Sequence, residues 1–195
     1  MVANMQPALR LSSGKWVKIQ VEDRGIYKLT YADLRRMGFS DPAKVSVHGY
    51  GGCMLDENFS NPYIDDVPAV PVWRGDDYLL FYGCGVINWT YDQESKSFVH
   101  TNNPYSDYGY YFLTDATATK EMESVASAAG ASLKVTTFDD YLLHEKDLVS
   151  VNNSGRELFG EAMDMTLSRD FSFTGITGIT NDDGKVTLRF IAKPI

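Results

Sequence analysis

What most constrains this chain is a recurring pattern of short segments in which apolar or aromatic side chains alternate with polar ones, each closed within a few residues by glycine, proline or asparagine. Lys15-Trp16-Val17-Lys18-Ile19-Gln20-Val21 alternates in this way, Gly25-Ile26-Tyr27-Lys28-Leu29-Thr30 follows after Glu22-Asp23-Arg24, and Tyr108 to Thr114 is an aromatic version of the same pattern. A period of two puts successive side chains on opposite faces of a strand, so segments of this kind bury one face of a pleated sheet. The expected fold is therefore mainly β, with antiparallel sheets in a sandwich-like arrangement and one or two short helices. The aromatic content, 12 Tyr, 10 Phe and 3 Trp in 195 residues, favours the same class, because aromatic rings suit a half-buried pleated surface.

Along the chain, the first two alternating runs read as a β-hairpin. Thr30 stands at an N-cap position with Asp33 in the first turn, which predicts a short helix ending at Gly38. Lys44 to His48 reads as a strand that runs into a tight, irregular turn at Gly49-Tyr50-Gly51-Gly52. Asp56 to Pro71, with three prolines, is an excursion from the sheet. Asp76 to Tyr82 is nearly continuous in apolar character and predicts a strand buried on both faces. Trp89 to Tyr91 and Phe98 to His100 flank the polar Asp92 to Ser97 as a second hairpin.

The stretch from Asp115 to Lys134 turns rich in Ala, Ser and Thr, with a weak helical option over Thr119 to Ala129. It divides a module spanning 12–195 near 115–135, and residues 1–11 form an N-terminal tail. Beyond it, Thr137 to Leu148 reads as a short helix or an extended segment. Phe171-Ser172-Phe173 and Lys185 to Ile191 read as strands, joined by a turn at Asn181-Asp182-Asp183-Gly184. The last strand runs almost to Ile195, so the chain is expected to be cut from something longer.

The formal net charge of −8 leaves no surplus of cations to neutralise phosphates, which argues against nucleic acid as a partner. No stretch approaches the ~20 apolar residues that span a bilayer, so direct membrane insertion is not expected. Cys53 and Cys84 either pair as a disulfide or lie apart as buried thiols. His48, five residues before Cys53, is the nearest base for a nucleophilic thiol. That spacing matches no cysteine-peptidase order, and no catalytic residue is assigned. Cys53, Cys84, His48, His100 and His144 show no ligand spacing, and Asp65-Asp66, Asp76-Asp77 and Asp139-Asp140 lie in no calcium-loop pattern. Neither a metal nor a cofactor is expected. Trp73 and Trp89 serve either as core or as a stacking platform for sugar rings in a carbohydrate-binding module.

Several segments, in order, resemble the N-terminal region of the gingipain-related sortases of the type IX secretion system, a cysteine peptidase family. They are Ser13 to Ile19 with Gly25 to Tyr31, Val47-His48-Gly49-Tyr50-Gly51-Gly52 with Met54-Leu55, and Asp77 through Phe81-Tyr82-Gly83 with Trp89. Asn103-Pro104-Tyr105-Ser106 with Tyr110 to Leu113, and Ser154 through Glu161, complete the series. The likeness covers roughly Ser12 to Phe173. Cys53 and Cys84 in the two glycine turns, and Leu158 at a position usually held by Trp, depart from the family pattern.

The resemblance implies a non-catalytic, prodomain-like module of an exported protein at the outer membrane surface or in the periplasm. Its parent peptidase would cleave sorting signals from cargo and anchor that cargo at the cell surface. The implied partners are the catalytic domain of the same polypeptide and other secretion-system components. Within the module, Arg156 and Glu157, with Glu161, are candidate partner-binding residues, because a guanidinium binds a carboxylate bidentately where Lys cannot. The competing role for Arg156 and Glu157 is an internal pair holding the loop from Asn152 to Glu161. Tyr63, Asp65 and Asp66, in the excursion from Asp56 to Pro71, are the second candidate contact group.

Overall fold

The computed structural model describes residues 10–61, 66–126, 130, 132–138, 140–153, 155, 157–182 and 184–192. The chain divides into two compact units, Met1–Ser127 and Ala128–Ile195.

Alternation along the strands becomes an antiparallel sandwich in the first unit. One sheet has the order β1 (Val17–Val21), β9 (Gly109–Thr114), β3 (Ser46–Gly51) and β4 (Ala69–Val70). The other has β2 (Gly25–Thr30), β6 (Tyr78–Gly83) and β5 (Val72–Arg74). Register aligns Val17, Leu113, Val47 and Val70 in one row across the first sheet. It aligns Tyr27, Phe81 and Val72 across the second. These rows meet in a core completed by Leu34, Phe39, Val45, Leu79 and Tyr111. The Phe81 ring lies edge-on to Tyr111 at 5.2 Å and stacks on Tyr27 at 5.6 Å. Each buried Leu, Val or Phe in such a core contributes about 1.5–3 kcal/mol.

The expected helix is present as α1 (Tyr31–Arg36). The Thr30 hydroxyl accepts the Asp33 backbone N–H at 3.1 Å, and Gly38, at φ +89°, stops the helix. The hairpin β7 (Ile87–Asp92) with β8 (Ser97–Asn102) also forms as expected and is a two-stranded sheet of its own.

Four readings of this unit are corrected. The segment from Asp56 to Pro71 is not wholly an excursion from the sheet, since Ala69 and Val70 within it pair with His48 and Val47 as β4. The strands β1 and β2 do not pair with each other: β1 pairs with β9 and β2 with β6. Glu22-Asp23-Arg24 therefore carries the chain from one sheet to the other. Alternation specifies which face a strand buries but not which neighbour completes its ladder. Next, β6 is not buried on both faces. Leu79 and Phe81 point inward, while Tyr82 is exposed. The strand buried on both faces is β3, whose Ser46, Val47, His48 and Gly49 are all inaccessible. Finally, Thr119 to Ala129 forms no helix over its described residues 119–126. Instead the Val72 N–H donates to Lys120 O at 2.8 Å and the Met122 N–H to Val72 O at 2.9 Å. This parallel bridge covers the edge of β5, and an edge strand left open invites pairing with other chains.

In the second unit, β10 (Val149–Ser150) pairs with β11 (Leu158–Phe159) across a 3-10 turn at Val151–Asn153. Phe171 to Phe173, and Lys185 to Ile191, are not strands, and no helix forms over the described residues of Thr137 to Leu148. A period-two pattern supplies an apolar face, yet a strand exists only where a second backbone accepts its hydrogen bonds. Among the described residues of this unit, only β10 and β11 provide such a pair.

Candidate functional site

His48 lies within β3 and Cys53 beyond its end, and the strand is irregular between them, since the register of β3 shifts between His48 and Gly51. The His48 ring is fully buried. Its Nε2 bonds the Thr117 and Ser46 hydroxyls at 2.8 and 3.1 Å, and Trp16 packs edge-on at 5.3 Å. This histidine ties β3 to the segment that leaves β9. The groups acting on the Cys53 thiol are its own burial and Cys84, which both raise its pKa, and Arg24, which lowers it. A thiol pushed up by burial and a neighbouring thiol is a weak nucleophile at neutral pH.

Cys53 and Cys84 lie at a corner where the two sheets converge. The Gly52 N–H donates to Cys84 O at 3.0 Å, and the Cys84 N–H donates to the Tyr111 hydroxyl at 2.9 Å. Burial pushes the Tyr111 phenol up to about 12, so it is a neutral partner at physiological pH. Gly51 has φ +73°, and a Cβ there would sit 2.5 Å from Cys84 O and 3.1 Å from Cys84 Cβ. Only glycine lets the two backbones approach this closely.

The second unit carries an open cleft of about 480 Å³ lined by His144, Lys146, Glu161, Arg169, Asp170 and Phe171, among others. The Glu161 carboxylate bonds His144 Nε2 at 3.0 Å and lies 3.7 Å from Lys146 Nζ. The hydrogen bond from His144 is the largest cause holding the Glu161 carboxyl below the usual range. Phe171 packs on the imidazole at 4.7 Å. Arg169 donates from Nε and Nη2 to Ala162 O at 3.1 and 2.8 Å. The Lys146 and Arg169 cations and the His144 imidazole, beside the Glu161 and Asp170 carboxylates, make a polar surface suited to a peptide or carboxylate group, with one aromatic wall.

Of the residues singled out in the sequence, Glu161 is in this cleft, whereas Glu157 forms an ion pair with Arg189. Arg156, Tyr63 and Asp65 lie outside the described residues. Asp66 is described: its backbone carbonyl accepts the Tyr50 hydroxyl at 2.5 Å and its carboxylate accepts the Val67 N–H at 2.8 Å. In the sequence His144 stands out only as a scattered histidine, and Lys146 and Arg169 carry no signal, because irregular loops, without periodicity, bring them together. Trp73 is half-exposed on the outer face of β5, 5.8 Å from the Tyr78 ring. Ile26 and Tyr82 are cross-strand partners and both are exposed there, while Lys28 Nζ lies over the Tyr78 ring at 4.0 Å. Among the described residues, no group of three or more His, Cys, Asp or Glu is placed to hold a metal ion. No helix among them is long and apolar enough to cross a membrane.

No protein-family model and no curated protein matches the chain. Among solved structures, the chain is similar to the crystal structure of dimeric latent PorU from Porphyromonas gingivalis, at 44% identity and a TM-score of 0.69. The match covers 78% of this chain and 14% of that one. The chain is thus related to PorU, a type IX secretion component, and spans about one seventh of its length.

Proposed function

We propose that this chain is the N-terminal, non-catalytic, prodomain-like module of a cell-surface cysteine peptidase of the sortase type, which processes and anchors cargo of the type IX secretion system. The module assists folding of the catalytic domain or restrains it. The observation that carries this reading is the 44% identity over 78% of the chain, set against only 14% of a relative described as latent. A segment that small is suited to positioning or covering a larger domain. The outer face of β2, β6 and β5 offers a contact surface, since Ile26 and Tyr82 are exposed cross-strand partners and Trp73, opposite Leu80, is exposed one row along the same face. Aromatic residues at such patches are the usual anchors of protein interfaces. On this reading the protein is exported and works at the outer membrane surface or in the periplasm.

Titration calorimetry of the purified chain against the cognate catalytic domain tests the proposal. Saturable binding is expected, weakened at least about tenfold by a paired Trp73→Ala and Tyr82→Ala change. No heat of association with the unaltered chain sinks it. A carbohydrate-binding module is a second reading, favoured by the half-exposed Trp73 beside Tyr78. It predicts a tryptophan fluorescence change on glycan titration that disappears in Trp73→Ala, and a flat response across a broad glycan panel removes it.

A further inference from the structure

Cys53 follows the end of β3 and Cys84 follows the end of β6, so each thiol stands where its sheet meets the other. The backbones are already in contact there. Gly52 donates to Cys84 O at 3.0 Å, and a Cβ on Gly109 would come within 2.4 Å of that same oxygen and 2.7 Å of Gly52 N. Three glycines from two adjoining strands and a turn therefore close the gap between the cysteines. The two thiols are free and partly accessible, and Cys84 is close enough to raise the pKa of Cys53. A Cβ added at Gly51, two residues before Cys53, would lie 3.1 Å from Cys84 Cβ, and a disulfide spans Cα separations of ~4.4–6.8 Å.

We propose that Cys53 and Cys84 are a reversible thiol–disulfide site that covalently joins the two sheets of the sandwich. The oxidant is a low-molecular-weight or protein disulfide. One thiolate attacks a sulfur of that disulfide and expels its partner as a thiol, leaving a mixed disulfide on the chain. The second thiolate attacks the chain's own sulfur and expels the other half as a second thiol. Overall, two cysteine thiols are oxidised to one disulfide while one external disulfide is reduced to two thiols. Burial and the neighbouring Cys84 raise the Cys53 thiol more than Arg24 lowers it, so the exchange is expected to be slow at neutral pH and to quicken as pH rises. A bridge here closes a loop of about 30 residues, which removes conformational freedom chiefly from the unfolded chain. It does not depend on the proposed role of the module, since it concerns only the first unit.

The test is to equilibrate the reduced, purified chain with oxidised glutathione, quench with acid, and map disulfides by mass spectrometry. The expected product is a monomeric chain two hydrogens lighter, with Cys53 linked to Cys84. Each single variant, Cys53→Ser or Cys84→Ser, is expected to stop at one glutathione per chain. The oxidised chain is expected to melt roughly 10 °C higher, and dithiothreitol to reverse the rise. A doubly glutathionylated chain, a bridge between two chains, or an unchanged melting temperature after full intramolecular oxidation overturns the proposal. The map of the unaltered chain decides the pairing whether or not the variants fold.

Discussion

Gly109 sits where three backbones converge, and its side-chain hydrogen is what the packing requires. An added Cβ would lie 2.4 Å from Cys84 O, 2.7 Å from Gly52 N and 2.9 Å from Val21 Cγ2. Two of these neighbours are backbone atoms and have little room to yield. Gly109→Ala is expected to destabilise the chain by about 2–3 kcal/mol, read from the denaturant midpoint. Gly25→Ala is the control: it is also in a strand, its Cβ meets nothing within 4 Å, and a change within about 0.5 kcal/mol is expected. Glu161 gives a second prediction at this scale. Its carboxyl is held low first by the His144 hydrogen bond and then by other polar contacts. A carboxyl depressed in the folded state stabilises it above the unfolded value of 4.5 and loses that contribution as pH falls below this value. In a side-chain NMR titration, Glu161 should titrate below 4.5, and His144→Ala should move its midpoint upward. An unmoved midpoint would mean that His144 is not the main cause.

At the scale of elements, the helix was the most legible feature, because its signals are local. Thr30 caps, Asp33 stands in the first turn and Gly38 stops it, all within nine residues. Thr30→Ala removes the acceptor for the Asp33 N–H and is expected to cost about 1 kcal/mol, measured by thermal melting, with Thr30→Ser recovering most of the loss. The positions of β1, β2, β7, β8 and β9 were legible for a similar reason, since a period of two is written in adjacent residues. Pairing was legible only for β7 with β8, where the polar turn Asp92 to Ser97 joins the partners directly. The partners of β1 and β2 are separated from them by tens of residues, so nothing beside Glu22-Asp23-Arg24 distinguishes a hairpin from a change of sheet. His48 misled as a possible base because its role depends on Thr117, which reaches it only after β9 has paired with β3. In the same way, the cleft around Glu161 depends on irregular loops, and only Glu161 itself was picked out from the sequence.

For the whole molecule, the distribution of burial predicts where cooperative stability resides. Among the described residues, all ten hydrophobic residues of the buried core lie between Val21 and Leu113, inside the first unit. In the second unit, Leu133, Phe138, Met165, Leu167 and Val186 are each more than 80% exposed. Apolar burial is the dominant favourable term in folding, so a fragment ending at Ser127 retains every core side chain. Its main thermal transition is expected within about 3 °C of that of the full chain, since a 1 kcal/mol change moves Tm by ~2–8 °C in domains of this size range. The apolar surface exposed by the second unit leads to a further expectation. A dye such as anilinonaphthalene sulfonate should fluoresce more strongly with the full chain than with the fragment, because the second unit adds these exposed apolar side chains to those on the outer face of the sandwich. If the cognate catalytic domain suppresses the dye signal of the full chain, the second unit takes part in the proposed contact. If it binds the fragment equally well and leaves the dye signal unchanged, the contact belongs to the sandwich.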